Sequence, residues 1–308
     1  MDVEIQGVHS QNQQVHLPVL SEKKISLFIK REDKIHPFIS GNKYRKLKYN
    51  FIKAKEEGFS SVLTYGGAYS NHIAATAYAG KQYGFKTIGI IRGEELVDKW
   101  FDNPTLKLAH ENGMQFKFIS RTTYREKEKQ DFFEGLKSEF KNFYTIPEGG
   151  TNALAVKGCE EIVTKEDAFF NVICTCVGTG GTIAGIINAA QKKQIVLGFP
   201  ALKGDFLIED IRKFVQKDNW KLQMDYHFGG YAKITPVLIH FINDFKQATG
   251  IPLDPIYTGK QLYGILDLIK KDYFKKGTKI LAIHTGGLQG ISGMNLKLKK
   301  KNLPLLNT

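Results

Sequence analysis

Four apolar runs in this chain end in paired glycines. They are Tyr65-Gly66-Gly67, Glu148-Gly149-Gly150, Val177-Gly178-Thr179-Gly180-Gly181-Thr182 and His284-Thr285-Gly286-Gly287. Each run is rich in β-branched and aromatic residues, and the first three are followed by a helical pattern. That is the signature of strands in an open α/β sheet, whose carboxyl ends face ligand space. Glycine at those ends lets backbone N–H groups approach an anion, and the helix that follows adds positive potential.

The rest of the chain keeps the same rhythm. Strands are expected near 25–29, 61–65, 86–92, 115–119, 143–146, 171–177, 195–199 and 279–284. Helices are expected near 42–57, 71–83, 104–111, 125–140, 152–164, 182–191, 205–215, 236–249 and 259–273. Such alternation implies parallel sheets with right-handed crossovers. The strand–helix units from residue 50 to about 145 suffice for a complete small sheet. The remaining segments then build a larger one, with a cleft between the two.

Composition narrows the function. Hydrophobic residues are 42% and charged residues 24% of 308 positions, ordinary for a water-soluble globular protein. No apolar run approaches a bilayer span, and Met1-Asp2-Val3-Glu4 opens no apolar leader, so a cytoplasmic location and no membrane partner are expected. The net charge of +13 comes mostly from lysine, 38 of the 44 basic residues, spread along the whole chain. Without a docking motif this reads as a solvated basic surface, not a nucleic-acid interface. The three cysteines are too few for a disulfide framework. Cys174 and Cys176 share one side of a buried strand and read as packed thiols, and no metal site is expected.

Lys43 is the leading candidate for chemistry. It lies in Ser40-Gly41-Asn42-Lys43-Tyr44-Arg45-Lys46-Leu47, where a glycine-broken segment turns into a helix. A lysine held at such a turn can lose its proton and attack a carbonyl. Gly178, Thr179, Gly180, Gly181 and Thr182 form a candidate phosphate cradle. The chain has neither a nucleotide P-loop nor a Gly-x-Gly-x-x-Gly that holds at every position. A phosphate cradle with an imine-forming lysine points to pyridoxal 5′-phosphate. Ser70 and Asn71 are good helix caps, and with His72 they offer N–H groups and a hydroxyl for a substrate carboxylate. By itself His72 also fits a helix-surface position.

Taken together, Lys30-Arg31-Glu32-Asp33, Gly41 to Leu47, Ser70-Asn71-His72, Leu253-Asp254-Pro255-Ile256-Tyr257-Thr258-Gly259-Lys260 and His284 to Gly287 resemble the family of D-cysteine desulfhydrase and 1-aminocyclopropane-1-carboxylate (ACC) deaminase. The resemblance runs over nearly the whole chain. It implies two open twisted, mostly parallel sheets of the tryptophan-synthase-β-like type (fold type II). Residues 1–48 and 149–308 would form the large cofactor-binding domain, and 49–148 a small inserted domain. Lys43 would hold the cofactor, Asn71 its 3′-oxygen and Gly178 to Thr182 its phosphate. Ser70, Asn71 and His72 would bind the substrate carboxylate. Tyr257 matches an active-site tyrosine, and Tyr231 falls where a second is expected. Ser40 stands where the family usually has glycine, and the cradle resembles that of cysteine synthases.

Ring-opening members usually carry Glu after the tyrosine and Leu before the last Gly-Gly. Thr258 and Thr285 stand at those places here and match the desulfhydrase pattern. The resemblance therefore implies a small amino-acid substrate, D-cysteine-like, with β-elimination to pyruvate, ammonia and sulfide, and a homodimer. ACC deamination is the alternative, and a protein that holds the cofactor without turnover is a third reading.

Overall fold

The computed structural model describes residues 9–39 and 41–307; Ser40 and the stretch Met1 to Glu4 lie outside them. In chain order the elements are β1 (Asn12–Val15), α1 (Pro18–Lys23), β2 (Ser26–Lys30), α2 (Asn42–Glu56), β3 (Ser61–Gly67), α3 (Asn71–Tyr83), β4 (Lys86–Arg92), α4 (Pro104–Glu111), β5 (Met114–Ile119), α5 (Arg121–Arg125) and α6 (Gln130–Phe140). They continue with β6 (Tyr144–Ile146), α7 (Ala153–Glu160), β7 (Val172–Val177), α8 (Gly181–Ala189), β8 (Ile195–Pro200), α9 (Phe206–Arg212), β9 (Trp220–Leu222), α10 (Pro236–Thr249), α11 (Thr258–Lys270), β10 (Lys279–Ile283) and α12 (Gly290–Lys300).

Two open sheets result. One has six strands in the order β1-β2-β10-β7-β8-β9, the other four in the order β5-β4-β3-β6. Every pairing is parallel except the edge pair β1/β2. The expected α/β class with two mostly parallel sheets is thus what the chain forms. The continuous apolar runs are explained by helices on both faces. All six residues of β7 are buried. One face of its sheet packs on α1, α10 and α11 through Leu27, Ile239, Leu262 and Ile269, the other on α7, α8 and α9 through Val156, Ile186 and Leu207. On the small sheet, Phe51 and Ala54 of α2 pack with Val62 and Ala75.

One expected helix differs. The helix expected over 125–140 starts only at Gln130, as α6; ahead of it Ser120 caps the separate α5, its Oγ accepting from the Thr123 N–H at 3.0 Å, and a turn from Glu126 to Lys129 parts the two. Between Tyr124 and Phe132 no apolar residue anchors a continuous helix.

The topology brings the four glycine-rich ends together. Gly67 ends β3 and Gly149 follows β6 in the small sheet; Gly178 follows β7 and Thr285 to Gly287 follow β10 in the large one. Residues of all four line one cavity of about 780 Å³.

Candidate active site

Lys43 owes its place to the way α2 begins. The Gly41 N–H donates to Glu32 O at 3.0 Å, and the Asn42 N–H to Thr285 O at 3.2 Å. Gly41 has φ +65°, and a Cβ there would fall 1.9 Å from the Thr285 carbonyl oxygen. Only glycine lets the helix start this close to the β10 loop. Deeper in, Arg45 clamps Glu32 with two bonds of 3.0 Å, and Lys30 pairs with Asp167 at 2.6 Å. These buried pairs account for much of the Lys30 to Asp33 motif. Lys43 then projects into the cavity, and its Nζ donates to Gly149 O at 3.0 Å. Burial, with the nearby Lys46 charge, holds its amine well below the usual lysine range.

Lys46 stands one turn along the same helix and was not assigned from the sequence. It is only 2% exposed. Its Nζ donates to Gly149 O at 3.0 Å, Thr151 Oγ1 at 2.9 Å and Thr179 Oγ1 at 3.3 Å. Burial lowers its pKa to about 8. It therefore points an ammonium at the cradle. Gly181 is packed so tightly that a Cβ would meet Thr151 at 2.9 Å and Lys46 Nζ at 3.2 Å. In α8 the first intrahelical bond tied to this turn runs from Ala184 N–H to Gly180 O, so the N–H groups before it face the loop. Thr182 Oγ1 accepts from Asn42 Nδ2 at 2.8 Å, locking the cradle to the lysine helix. Glycine backbone, a helix N-terminus of nine residues and a buried ammonium together fit a phosphate.

On the other sheet, Ser70 caps α3 by accepting the Ile73 N–H at 3.4 Å, which leaves its hydroxyl proton to donate. Ser70, Asn71 and His72 all line the cavity. Asn71 faces the β10 loop: a Cβ on Gly287 would lie 2.8 Å from its Nδ2. His72 is not a surface histidine. It is 2% exposed, with Nε2 2.8 Å from Thr64 Oγ1 and no partner for Nδ1.

Tyr257 and Tyr231 meet edge to face, ring centres 6.2 Å apart. A Cβ on Gly178 would stand 3.2 Å from the Tyr257 ring, so the cradle rests against it. Burial first, then Tyr231 and Asp254, raises the Tyr257 pKa well above the usual phenol value, keeping its proton on. Tyr231, on the rim, is 42% exposed. Its loop is held by Lys260, which donates to His227 O and Gly230 O, both at 2.8 Å.

The two threonines part company. Thr285 lines the cavity and its Oγ1 lies 3.0 Å from Cys176 Sγ. Thr258 is fully buried and does not line it. Its hydroxyl donates to Asp254 Oδ1 at 2.8 Å and accepts the Asp254 N–H at 2.8 Å. Asp254 also receives the N–H groups of Ile256, Tyr257 and Thr258. Asp254 therefore takes the first N–H groups of α11 and fixes the Tyr257 backbone, and Thr258 spends its hydroxyl on Asp254 instead of facing a ligand.

The cavity mouth is basic. Arg92, Arg121, Arg125 and Lys297 line it; Arg121 pairs with Glu95 at 2.7 Å, and Arg92 lies over the Tyr124 ring, 5.3 Å from its centre. Among the described residues its only acids are Glu95 and Glu148, both from the small-sheet side.

Comparison with known proteins gives the family and the fold. The family model described as pyridoxal-phosphate dependent enzyme matches residues 5–286. A Pyrococcus abyssi protein provisionally named 1-aminocyclopropane-1-carboxylate deaminase is 32% identical, over 90% of this chain and 89% of the relative. The Arabidopsis thaliana mitochondrial bifunctional D-cysteine desulfhydrase/1-aminocyclopropane-1-carboxylate deaminase is 33% identical, over 86% of this chain and 73% of the relative. A crystal structure of an ACC deaminase homologue superposes with a TM-score of 0.81 at 29% identity, covering 96% of this chain and 95% of that one.

Proposed function

This chain belongs to the family of pyridoxal-phosphate dependent enzymes, and from that premise we propose that it eliminates the β-thiol of a D-cysteine-like amino acid. One water is consumed, and pyruvate, ammonia and sulfide are released. Its cofactor is pyridoxal 5′-phosphate. Lys43 would hold it covalently through Nζ. Lys46 and the Gly178 to Thr182 loop would hold its phosphate, and Asn71 its 3′-oxygen. When bound, the pyridoxal ring supplies an electron sink for the charge left at Cα. Ser70 Oγ–H and the N–H groups of Asn71 and His72 bind the substrate carboxylate. The Lys43 amine, kept short of its ordinary basicity, is suited to take the Cα proton near neutral pH. Tyr257, a protonated phenol whose backbone N–H is held by Asp254, is suited to give a proton to the departing sulfur, with Tyr231 beside it.

The observation that carries this choice is the cavity wall on the six-stranded sheet. It presents Cys176 and Thr285 and, among the described residues, no carboxylate. A neutral hydroxyl suffices where sulfide is the leaving group, whereas ring opening calls for a stronger electron sink. ACC deamination to 2-oxobutyrate and ammonia is the second reading, favoured by the names of the relatives.

Residues 49–148 act as the small domain, with 1–48 and 149–308 as the large one. In support, all four strands of the small sheet lie between Ser61 and Ile146, although α2 packs against both bodies. A homodimer in the cytoplasm completes the reading, in line with the family resemblance; no described helix is long and apolar enough to cross a membrane.

The test is a visible spectrum of the purified chain, followed by product assays with D-cysteine, L-cysteine, D-serine and ACC. Sulfide and pyruvate from D-cysteine, lost in Lys43→Ala, are expected. 2-Oxobutyrate from ACC with no sulfide would favour the second reading. A cofactor band without any product would leave only a carrier.

A further inference from the structure

Three cations of the cavity mouth have no counter-ion among the described residues. The two acids there are already engaged, Glu95 with Arg121 at 2.7 Å and Glu148 with Lys127 at 3.4 Å. Arg92, Arg125 and Lys297 pair with no described carboxylate.

Arg92 is the one built into the site. It ends β4 and stands in register beside Gly67, the last residue of β3. The missing side chain there makes room for it: a Cβ on Gly67 would lie 3.4 Å from Arg92 Nη2. A Cβ on the adjacent Gly66 would lie 2.9 Å from Ser70 Oγ. Gly67 also opens the turn that presents Ser70, whose N–H donates to Gly67 O at 3.0 Å. One glycine pair thus accommodates both the guanidinium and the carboxylate grip. The Tyr124 ring, its centre 5.3 Å away, backs the guanidinium. After burial and the Tyr257 hydroxyl, the Arg92 charge acts most on the Tyr231 phenol, so it is felt on the opposite wall of the cleft.

A guanidinium without a counter-ion is a fork for a carboxylate or another oxyanion. The bound amino acid limits which of its parts can supply one. Its α-carboxylate is taken by Ser70 and the N–H groups beside it, and its amine by the cofactor. The substituent left to meet Arg92 is the one on Cβ, which is the leaving group. Bare cysteine ends in a thiol, mostly uncharged at neutral pH, and gives these cations nothing to hold.

We propose that the site is built for D-cysteine S-conjugates whose sulfur carries a short anionic tail. Arg92 selects the tail, and Arg125 and Lys297 draw it to the mouth. This rests on the elimination reading and names its leaving group. The Cα proton goes to Lys43, the Cβ–S bond breaks with its electron pair on sulfur, and the thiolate takes a proton and departs as a free thiol. One water turns the remaining aminoacrylate into pyruvate and ammonia.

The experiment compares S-carboxymethyl-D-cysteine with its amide, S-carbamoylmethyl-D-cysteine, which has the same shape without the charge. Pyruvate release by the holoenzyme gives kcat/KM for each. The acid should be favoured about 10- to 100-fold, the share of one charge-assisted contact. The amide releases the less basic thiol, so leaving-group chemistry alone gives the opposite order. Arg92 is exposed, so added salt should erode the acid's advantage. Arg92→Gln should bring the ratio close to one, and Arg92→Lys should keep part of it. An equal or lower value for the acid, or a ratio unmoved by salt or by Arg92→Gln, overturns the proposal. Should Arg92→Gln not fold, Arg125→Gln combined with Lys297→Gln should flatten the acid's salt dependence, and an unchanged slope refutes the basic mouth. The borohydride-reduced adducts of pyridoxal 5′-phosphate with the two conjugates, titrated into the cofactor-free chain, read the same preference without turnover. If D-cysteine and both conjugates go uncleaved, the elimination reading fails; equal affinities of the two adducts sink the tail preference alone.

Discussion

Lys46→Met removes the buried ammonium at the cradle while keeping a side chain of similar length. Lys46 makes three hydrogen bonds from a nearly fully buried position. A charged hydrogen bond to phosphate contributes about 1.5–3 kcal/mol, so affinity for a phosphorylated ligand should fall about 10- to 150-fold. The probe should be 4-deoxypyridoxine 5′-phosphate, which has the phosphate but no aldehyde to join Lys43, titrated by fluorescence. The pH dependence adds a second check. With its pKa near 8, Lys46 loses its proton as pH rises past that value, so native affinity should weaken there. The probe's phosphate is already a dianion, its second pKa being about 6. Lys46→Met should lack the break near pH 8, and Lys43, freed of a like charge, should titrate higher.

The same lysine shapes stability. Its pKa is lowered from 10.5 to about 8, so within that window the unfolded chain binds a proton that the folded chain has released. The native fold therefore gains stability as pH rises through the window, by up to about 3 kcal/mol from this group, and Lys46→Met should lose that share of the slope in thermal melts. Affinity of Lys46→Met within twofold of native at pH 7 would refute the phosphate assignment.

Three further outcomes follow from the geometry. Gly41→Ala places a Cβ against the Thr285 carbonyl in a left-handed conformation, so melting should show a loss of about 3 kcal/mol or more together with weaker cofactor binding; an unchanged melting temperature contradicts the packing. Asp254→Asn removes one of the two carboxylate oxygens that receive the Ile256, Tyr257 and Thr258 donors, so kcat should drop with KM little changed while the fold persists; steady-state kinetics decides. Thr285→Leu should lower sulfide release from D-cysteine relative to 2-oxobutyrate release from ACC, whereas Thr258→Glu should mainly destabilise, because it buries a second carboxylate beside Asp254.

The strands buried on both faces were legible because their sequence pattern and their environment say the same thing. β7 and β10 are nearly continuous apolar runs, and helices cover both sides. β1 was not legible. Its Asn-Gln-Gln-Val has no apolar alternation, and it becomes a strand by pairing antiparallel with β2 at the sheet edge. α12 was hidden by Gly290 and Gly293, which weaken helix propensity; Ile291, Met294 and Leu298 packed on the large core hold it.

For the site, the sequence showed which backbone is unusual but not where side chains end. Lys43 stood out because a glycine break precedes a helix. Lys46, three residues on, looked like any solvated lysine. Its burial depends on Gly149, Thr151 and Thr179, more than a hundred residues away in sequence. The spacing was still a usable signal, since residues i and i+3 share a helix face and a cavity that takes one lysine is near the other. Thr258 shows the reverse failure. A hydroxyl beside a site tyrosine suggested a ligand contact, yet Asp254, four residues earlier, captures it through its own N–H and carboxylate. Local side chain–backbone bonding competes with ligand contact for short polar residues, and a single chain does not show which wins. His72 combines both lessons: its position in the motif was visible, but the direction of its hydrogen bonds, and hence what it can bind, is set by Thr64 and the Ile146 carbonyl on neighbouring strands.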